Sequence, residues 1–109
     1  TMPKAIFWSP LSVADFEKVL DYLHESWNER VVSNFMDDIE NLLYQISKHP
    51  KQFPLVNKKK NVRKCVVSKH NTIFYREKNE CVELLRIFDT RQTPSKLKFQ
   101  KNKRFQQIY

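Results

Sequence analysis

The sequence has no glycine in any of its 109 positions. That alone excludes a P-loop and a dinucleotide-binding fingerprint, both of which need glycine where backbone approaches phosphate. It also excludes a serine nucleophile on a glycine-flanked elbow. Cysteine is almost as scarce. Cys65 and Cys81 fall in expected strands and far from any Cys-x-x-Cys or Cys/His ligand spacing, so reduced, buried thiols are expected and no metal site. His24, His49 and His70 are scattered without metal spacing. No apolar run approaches the length that spans a bilayer, and no charged-then-apolar leader opens the chain. The expectation is a soluble, cytoplasmic protein without a cofactor or a membrane partner.

What is present is a single domain's worth of chain, residues 1–109, with 40% hydrophobic and 13% aromatic residues, enough for one packed core. The formal net charge is +8, and it is unevenly placed. Residues 9–50 carry eight acids against three bases, a net of −5. Residues 56–78 carry eight bases against Glu77, a net of +7, and residues 89–109 carry six against Asp89, a net of +5. An acidic helical side and a basic sheet side point to an anionic partner, either nucleic acid or an acidic protein. A merely solvated charged surface is the bland alternative.

Patterning gives the architecture. Ala5–Trp8 is a short β-type run, and Ser9 followed by Pro10 fits an N-cap with proline at the first helical position. Leu11, Phe16, Val19, Leu20, Leu23 and Trp27 recur at helical spacing. Asn28 interrupts them, and Val32, Phe35, Ile39, Leu42, Leu43 and Ile46 form a second amphipathic series ending before Pro50. So short a link predicts an antiparallel helical hairpin. Residues 51–61 read as a loop carrying Lys58, Lys59 and Lys60. Three strands follow, over 62–68, 71–77 and 81–88, with His70-Asn71 and Lys78-Asn79 as turns in which asparagine replaces glycine. In the first strand Arg63, Cys65 and Val67 share one face, and Lys64 and Val66 the other. The last strand is apolar on both faces and so looks central. The fold class is α+β: an N-terminal strand, a helical hairpin, a three-stranded antiparallel meander and a basic tail over 93–109.

Taken in order, Ile6-Phe7-Trp8-Ser9-Pro10, Asp21-Tyr22-Leu23, Trp27-Asn28, Pro50, Phe53-Pro54, Val62-Arg63-Lys64, Lys69-His70-Asn71, Ile73-Phe74-Tyr75-Arg76 and Leu85-Arg86-Ile87-Phe88-Asp89-Thr90-Arg91-Gln92 resemble the RelE/ParE superfamily. These are toxins of bacterial type II toxin–antitoxin modules, including those called plasmid-stabilisation proteins. The resemblance implies a growth-arresting toxin held by a cognate antitoxin. It also implies one of two mechanisms: ribosome-dependent mRNA cleavage, or inhibition of DNA gyrase by binding.

Metal-free RNA cleavage needs a proton acceptor for the 2′-hydroxyl, cations on the phosphate and an acid for the leaving oxygen. Aligned on Tyr75, the resemblance puts Arg63 and Arg91 where RelE-like nucleases carry basic residues. It puts Cys65, Thr72 and Leu97 where they carry a lysine, an arginine and a tyrosine. His70 is a candidate base because imidazole titrates near neutrality. Two matches of five favour the ParE-like side, which asks only for a basic, partly apolar surface. Arg63, Lys64, Arg86, Arg91, Lys96 and Lys98 are the candidate residues for target or antitoxin, expected on one cationic surface. For Arg86 the competing expectation is an internal pair with Asp89 or with an acid of the hairpin.

Overall fold

A computed structural model describes residues 3–91. Strand β1 (Ala5–Trp8) leads into helix α1 (Pro10–Ser26) and helix α2 (Glu29–Lys48), followed by β2 (Leu55–Asn57), β3 (Val62–Val66), β4 (Asn71–Glu77) and β5 (Cys81–Asp89). The strands form one sheet in the order β1-β5-β4-β3-β2. The expected meander is present as β3, β4 and β5, but the sheet is larger and mixed. β1 pairs in parallel with β5, from Ala5 opposite Cys81 to Trp8 opposite Leu84. The loop over 51–61 contains β2, an antiparallel edge strand. Three residues are too few to show alternation, and a parallel partner some seventy residues away leaves no local pattern.

Both helices begin where the sequence provides an acceptor for free N–H groups. Ser9 Oγ accepts from Ser12 N–H (3.1 Å) ahead of Pro10, and Asn28 Oδ1 accepts from Val31 N–H (3.1 Å). The two caps leave only Trp27 and Asn28 between the helices. Phe16 of α1 and Phe35 of α2 stack at 6.0 Å between ring centroids.

The core lies between the helices and one face of the sheet. Val19, Leu23, Phe35, Ile39 and Ile46 meet Cys65, Ile73, Tyr75, Val82, Leu84 and Ile87, all buried. Each such side chain contributes about 1.5–3 kcal/mol through removal from water. Cys65, Ile73 and Ile87 lie opposite one another across three strands. By alternation Lys64, Val66, Thr72 and Phe74 belong to the other sheet face.

Two local features depart from the ideal. In the β4–β5 pairing Phe74 opposes Arg86 while Tyr75 opposes Leu84, so β5 carries a bulge at Leu85-Arg86. Asn61, between β2 and β3, has φ of 58° and is the positive-φ position among the described residues. The glycine-like role expected at Asn71 and Asn79 thus falls to Asn61, where a short amide side chain tolerates the left-handed region. Asn71 instead opens β4 with its side chain buried.

Candidate interaction site

The bulge in β5 sets the position of the first arginine. It turns Arg86 toward α1, where its Nε and Nη2 donate to the two oxygens of Asp15 at 2.7 and 2.8 Å. The same carboxylate accepts from Ile87 N–H (2.9 Å). Ser9 completes the arrangement: its hydroxyl donates to Leu85 O (2.9 Å) and its amide to Leu84 O (3.0 Å). The residue after β1 and the first turns of α1 therefore satisfy backbone groups of β5 on either side of the bulge. Of the two expectations for Arg86, the internal pair with an acid of the hairpin is the one present.

Arg91 follows β5 and turns back on it. Its Nε and Nη2 donate to Asp89 (3.2 Å each), and Nη2 also donates to Asn71 Oδ1 (3.2 Å). Its guanidinium lies 5.3 Å from the centre of the Tyr22 ring on α1. The Asp89 side chain is 2% exposed, so most of this charge is compensated out of water. Arg63 is held differently. Its Nη1 donates to the carbonyls of Phe53 (2.7 Å) and Lys51 (3.3 Å), while the neighbouring Tyr75 hydroxyl donates to Pro50 O (2.7 Å). Together they pin the turn that follows α2, and burial pushes the Tyr75 hydroxyl pKa upward.

Among the described residues, Arg63, Lys64, Arg86 and Arg91 are therefore not brought onto one cationic surface. Arg63 lies opposite Tyr75 and Arg91 is bonded to Asn71, four residues apart along β4 or about 13 Å. Each is engaged by the protein's own oxygen atoms. Lys64 stands on the opposite sheet face, makes no side-chain hydrogen bond or ion pair among the described residues, and neighbours the exposed Val66. Lys96 and Lys98 lie outside the described residues.

Among the described residues the nuclease positions are likewise not brought together, and Leu97 lies outside them. Cys65 is fully buried and faces the core, where burial pushes its thiol up to about 11. Thr72, paired with Val66, lies on the other face. His70 sits in the β3–β4 turn, where its amide donates to Ser68 Oγ (3.2 Å) and its carbonyl accepts from Thr90 N–H (3.0 Å). Among the described residues no group of three or more His, Cys, Asp or Glu is placed to hold a metal ion. No described helix is long and apolar enough to cross a membrane.

Asp15 and Asn71, which hold the two arginines, are not among the candidate site residues expected from the sequence. Asp15 looks like a solvent-facing acid, yet it lies three residues after Ser12 and four before Val19, both buried, which puts it on the inward stripe of α1.

Residues 6–94 match the family of the ParE toxin of the type II toxin–antitoxin system, parDE. The chain belongs to this family. It is a ParE-family toxin of a type II toxin–antitoxin system, in agreement with the resemblance carried by its motifs. No curated protein matches it by sequence. Among solved structures it is similar to the chromosomal ParDE toxin–antitoxin system of P. aeruginosa, with a TM-score of 0.67 at 16% identity over 79% of this chain and 95% of that one. It is also similar to the RelBE2 complex of Mycobacterium tuberculosis (TM-score 0.55, 15% identity, 81% of this chain and 99% of that one). The E. coli DinJ-YafQ complex gives a TM-score of 0.57 at 14% identity, over 82% and 94% of the two chains. These similarities bear on the fold. They extend to both the ParE-like and the RelE-like branches.

Proposed function

We propose that this ParE-family toxin acts by binding DNA gyrase rather than by cleaving mRNA, and that a cognate antitoxin binds and silences it. The supporting observation is the state of its arginines. Arg86 is paired with Asp15 and Arg91 with Asp89, while Cys65 stands in the core where the RelE-like resemblance calls for a lysine. Cleavage of RNA without a metal needs cations and an acid–base pair converging on one phosphate. The described residues supply no such convergence. A binding toxin needs only a stable scaffold and an accessible basic surface, for which Lys64 and the basic run 96–104 are the candidates. Such a target and such an antitoxin imply a cytoplasmic site of action.

The antitoxin is expected to place acids near that basic side and to associate at a rate that falls with salt. Purified gyrase with relaxed plasmid tests the proposal. Supercoiling should fall as the toxin is added and recover when antitoxin is supplied. Full supercoiling at saturating toxin removes the gyrase reading. Cleaved messages in a ribosome-dependent translation reaction would establish the RelE-like alternative in its place.

A further inference from the structure

The turn between β2 and β3 carries Lys58, Lys59 and Lys60 in succession, all exposed. Its shape is fixed by the two asparagines that flank them. Asn57 Oδ1 accepts from Lys60 N–H (2.8 Å), Asn61 N–H donates to Lys58 O (3.3 Å), and Asn61 takes the left-handed conformation that closes the turn. Asn61 Nδ2 then donates to Glu77 O (3.1 Å), which ties the turn to the end of β4. Continuing the β3–β4 register beyond the pairing of Val62 with Arg76 sets Lys60 beside Lys78. Two acids of this end are already engaged: Glu77 by Lys4 (2.7 Å), and Glu83 by Arg76 (2.9 Å) and Lys78 (3.3 Å). Glu80, exposed in the β4–β5 turn, offsets part of the remaining charge. Lys58 and Lys59 make no side-chain hydrogen bond or ion pair among the described residues.

We infer that this lysine turn grips the phosphate backbone of duplex DNA, the nucleic acid on which gyrase works. The inference rests on the gyrase reading and adds to it a direct contact between toxin and DNA. The chemistry of the turn favours phosphate over an acidic protein. From Asn57 to Asn61 it holds no apolar side chain, whereas protein interfaces centre on aromatic and apolar anchors and are depleted in lysine. Lysine meets a phosphate as a point charge and needs no shape match. Duplex DNA also offers one charge per about 1.7 Å of its axis, a density that an extended peptide, rising about 3.3 Å per residue, does not reach. Because its backbone is fixed before contact, the turn loses less order on binding than a pliant basic segment would.

The experiment follows the fluorescence anisotropy of a labelled DNA duplex of about two helical turns, titrated with the full-length protein from about 50 to 200 mM salt. A Kd on the order of 10 μM is expected at the low end of that range. Lys58→Ala with Lys59→Ala should weaken binding about tenfold and flatten the dependence of log Kd on log salt by about 2, since each lost phosphate contact removes ~0.9. Arg30→Ala with Lys69→Ala removes the same charge from α2 and from the β3–β4 turn, and should leave the slope roughly as in wild type. All four side chains are exposed, so both variants should melt like the wild type. No binding, an unchanged slope in the Lys58/Lys59 variant, or an equal change in the Arg30/Lys69 variant overturns the inference. Polyglutamate that binds as tightly as the duplex, with the same loss in the Lys58/Lys59 variant, assigns the turn to an acidic protein and overturns it too. Gyrase is absent from this titration, so a failure here removes the DNA contact and leaves the supercoiling test to decide the toxin's mechanism.

Discussion

Asp15 and Arg86, 71 residues apart in sequence, meet through two hydrogen bonds of 2.7 and 2.8 Å. Their side chains are 11% and 18% exposed, so the pair is largely withdrawn from water. It ties the second turn of α1 to the bulged strand. Asp15→Ala removes the carboxylate that holds both the Arg86 guanidinium and the Ile87 amide, and a loss of about 3 kcal/mol in unfolding free energy is expected. Asp15→Leu combined with Arg86→Leu should lose clearly less, since no charge is left behind. Urea denaturation of the three proteins measures both.

Arg63 and Lys64 are adjacent in β3 but belong to different faces and different tasks. Arg63→Ala releases the carbonyls of Lys51 and Phe53 and should cost about 1–3 kcal/mol, with faster hydrogen exchange in the turn at 49–54. Lys64→Ala should alter stability by no more than about 0.5 kcal/mol. If the open face meets the target, Lys64→Ala weakens growth arrest while Arg63→Ala acts through folding. Melting curves beside a toxicity assay separate the two.

The two thiols should respond differently to alkylation. Cys65 is fully buried with its thiol pushed up to about 11, whereas Cys81 is half-buried. Only the thiolate attacks. Iodoacetamide at mildly alkaline pH should modify Cys81 in the folded protein and Cys65 only on unfolding, as read by mass spectrometry. Cys65→Lys, which would restore the lysine of the RelE-like pattern, places an unpaired ammonium in the core. It should unfold the protein rather than confer cleavage.

Acid should weaken a cross-strand pair on the open face. Glu83 accepts from Arg76 at 2.9 Å and lies 3.3 Å from Lys78 Nζ, and the Arg76 bond holds its carboxyl below the ordinary value near 4.5. A carboxyl whose pKa is lower in the folded state stabilises above the unfolded value, and that contribution disappears as pH falls through the folded one. With partners 36% and 52% exposed, the gain at neutral pH is under about 1 kcal/mol. Wild type and Glu83→Gln should thus differ slightly at pH 7 and converge in thermal melts as pH falls below the ordinary carboxyl value near 4.5.

Much of this fold is legible in the sequence because the signals are local. Ser9-Pro10 and Asn28 mark helix starts, the three- and four-residue spacing of Val19, Leu23, Phe35 and Ile39 marks the inward stripes, and alternation marks β3 and β4. The parallel pairing of β1 with β5 is not legible, since the strand that completes the sheet gives no sign of its distant neighbour. The same holds for the candidate site. Which arginines are available depends on whether an acid folds back onto them: Asp15 reaches Arg86 from 71 residues away, and Asp89 reaches Arg91 only because the chain turns back after β5. The bulge at Leu85-Arg86 is hidden as well, because a one-residue slip breaks no rule of composition.

Ser9 has a consequence for the order of assembly. It joins α1 to β5 across 76 residues through a single hydroxyl and a single amide. Closing so long a stretch carries an entropic penalty that local hairpins avoid. On a ribosome the helices and the first hairpin can form early, while the opening strand waits for the last one to emerge. The newborn chain is therefore expected to expose apolar surface until β5 arrives.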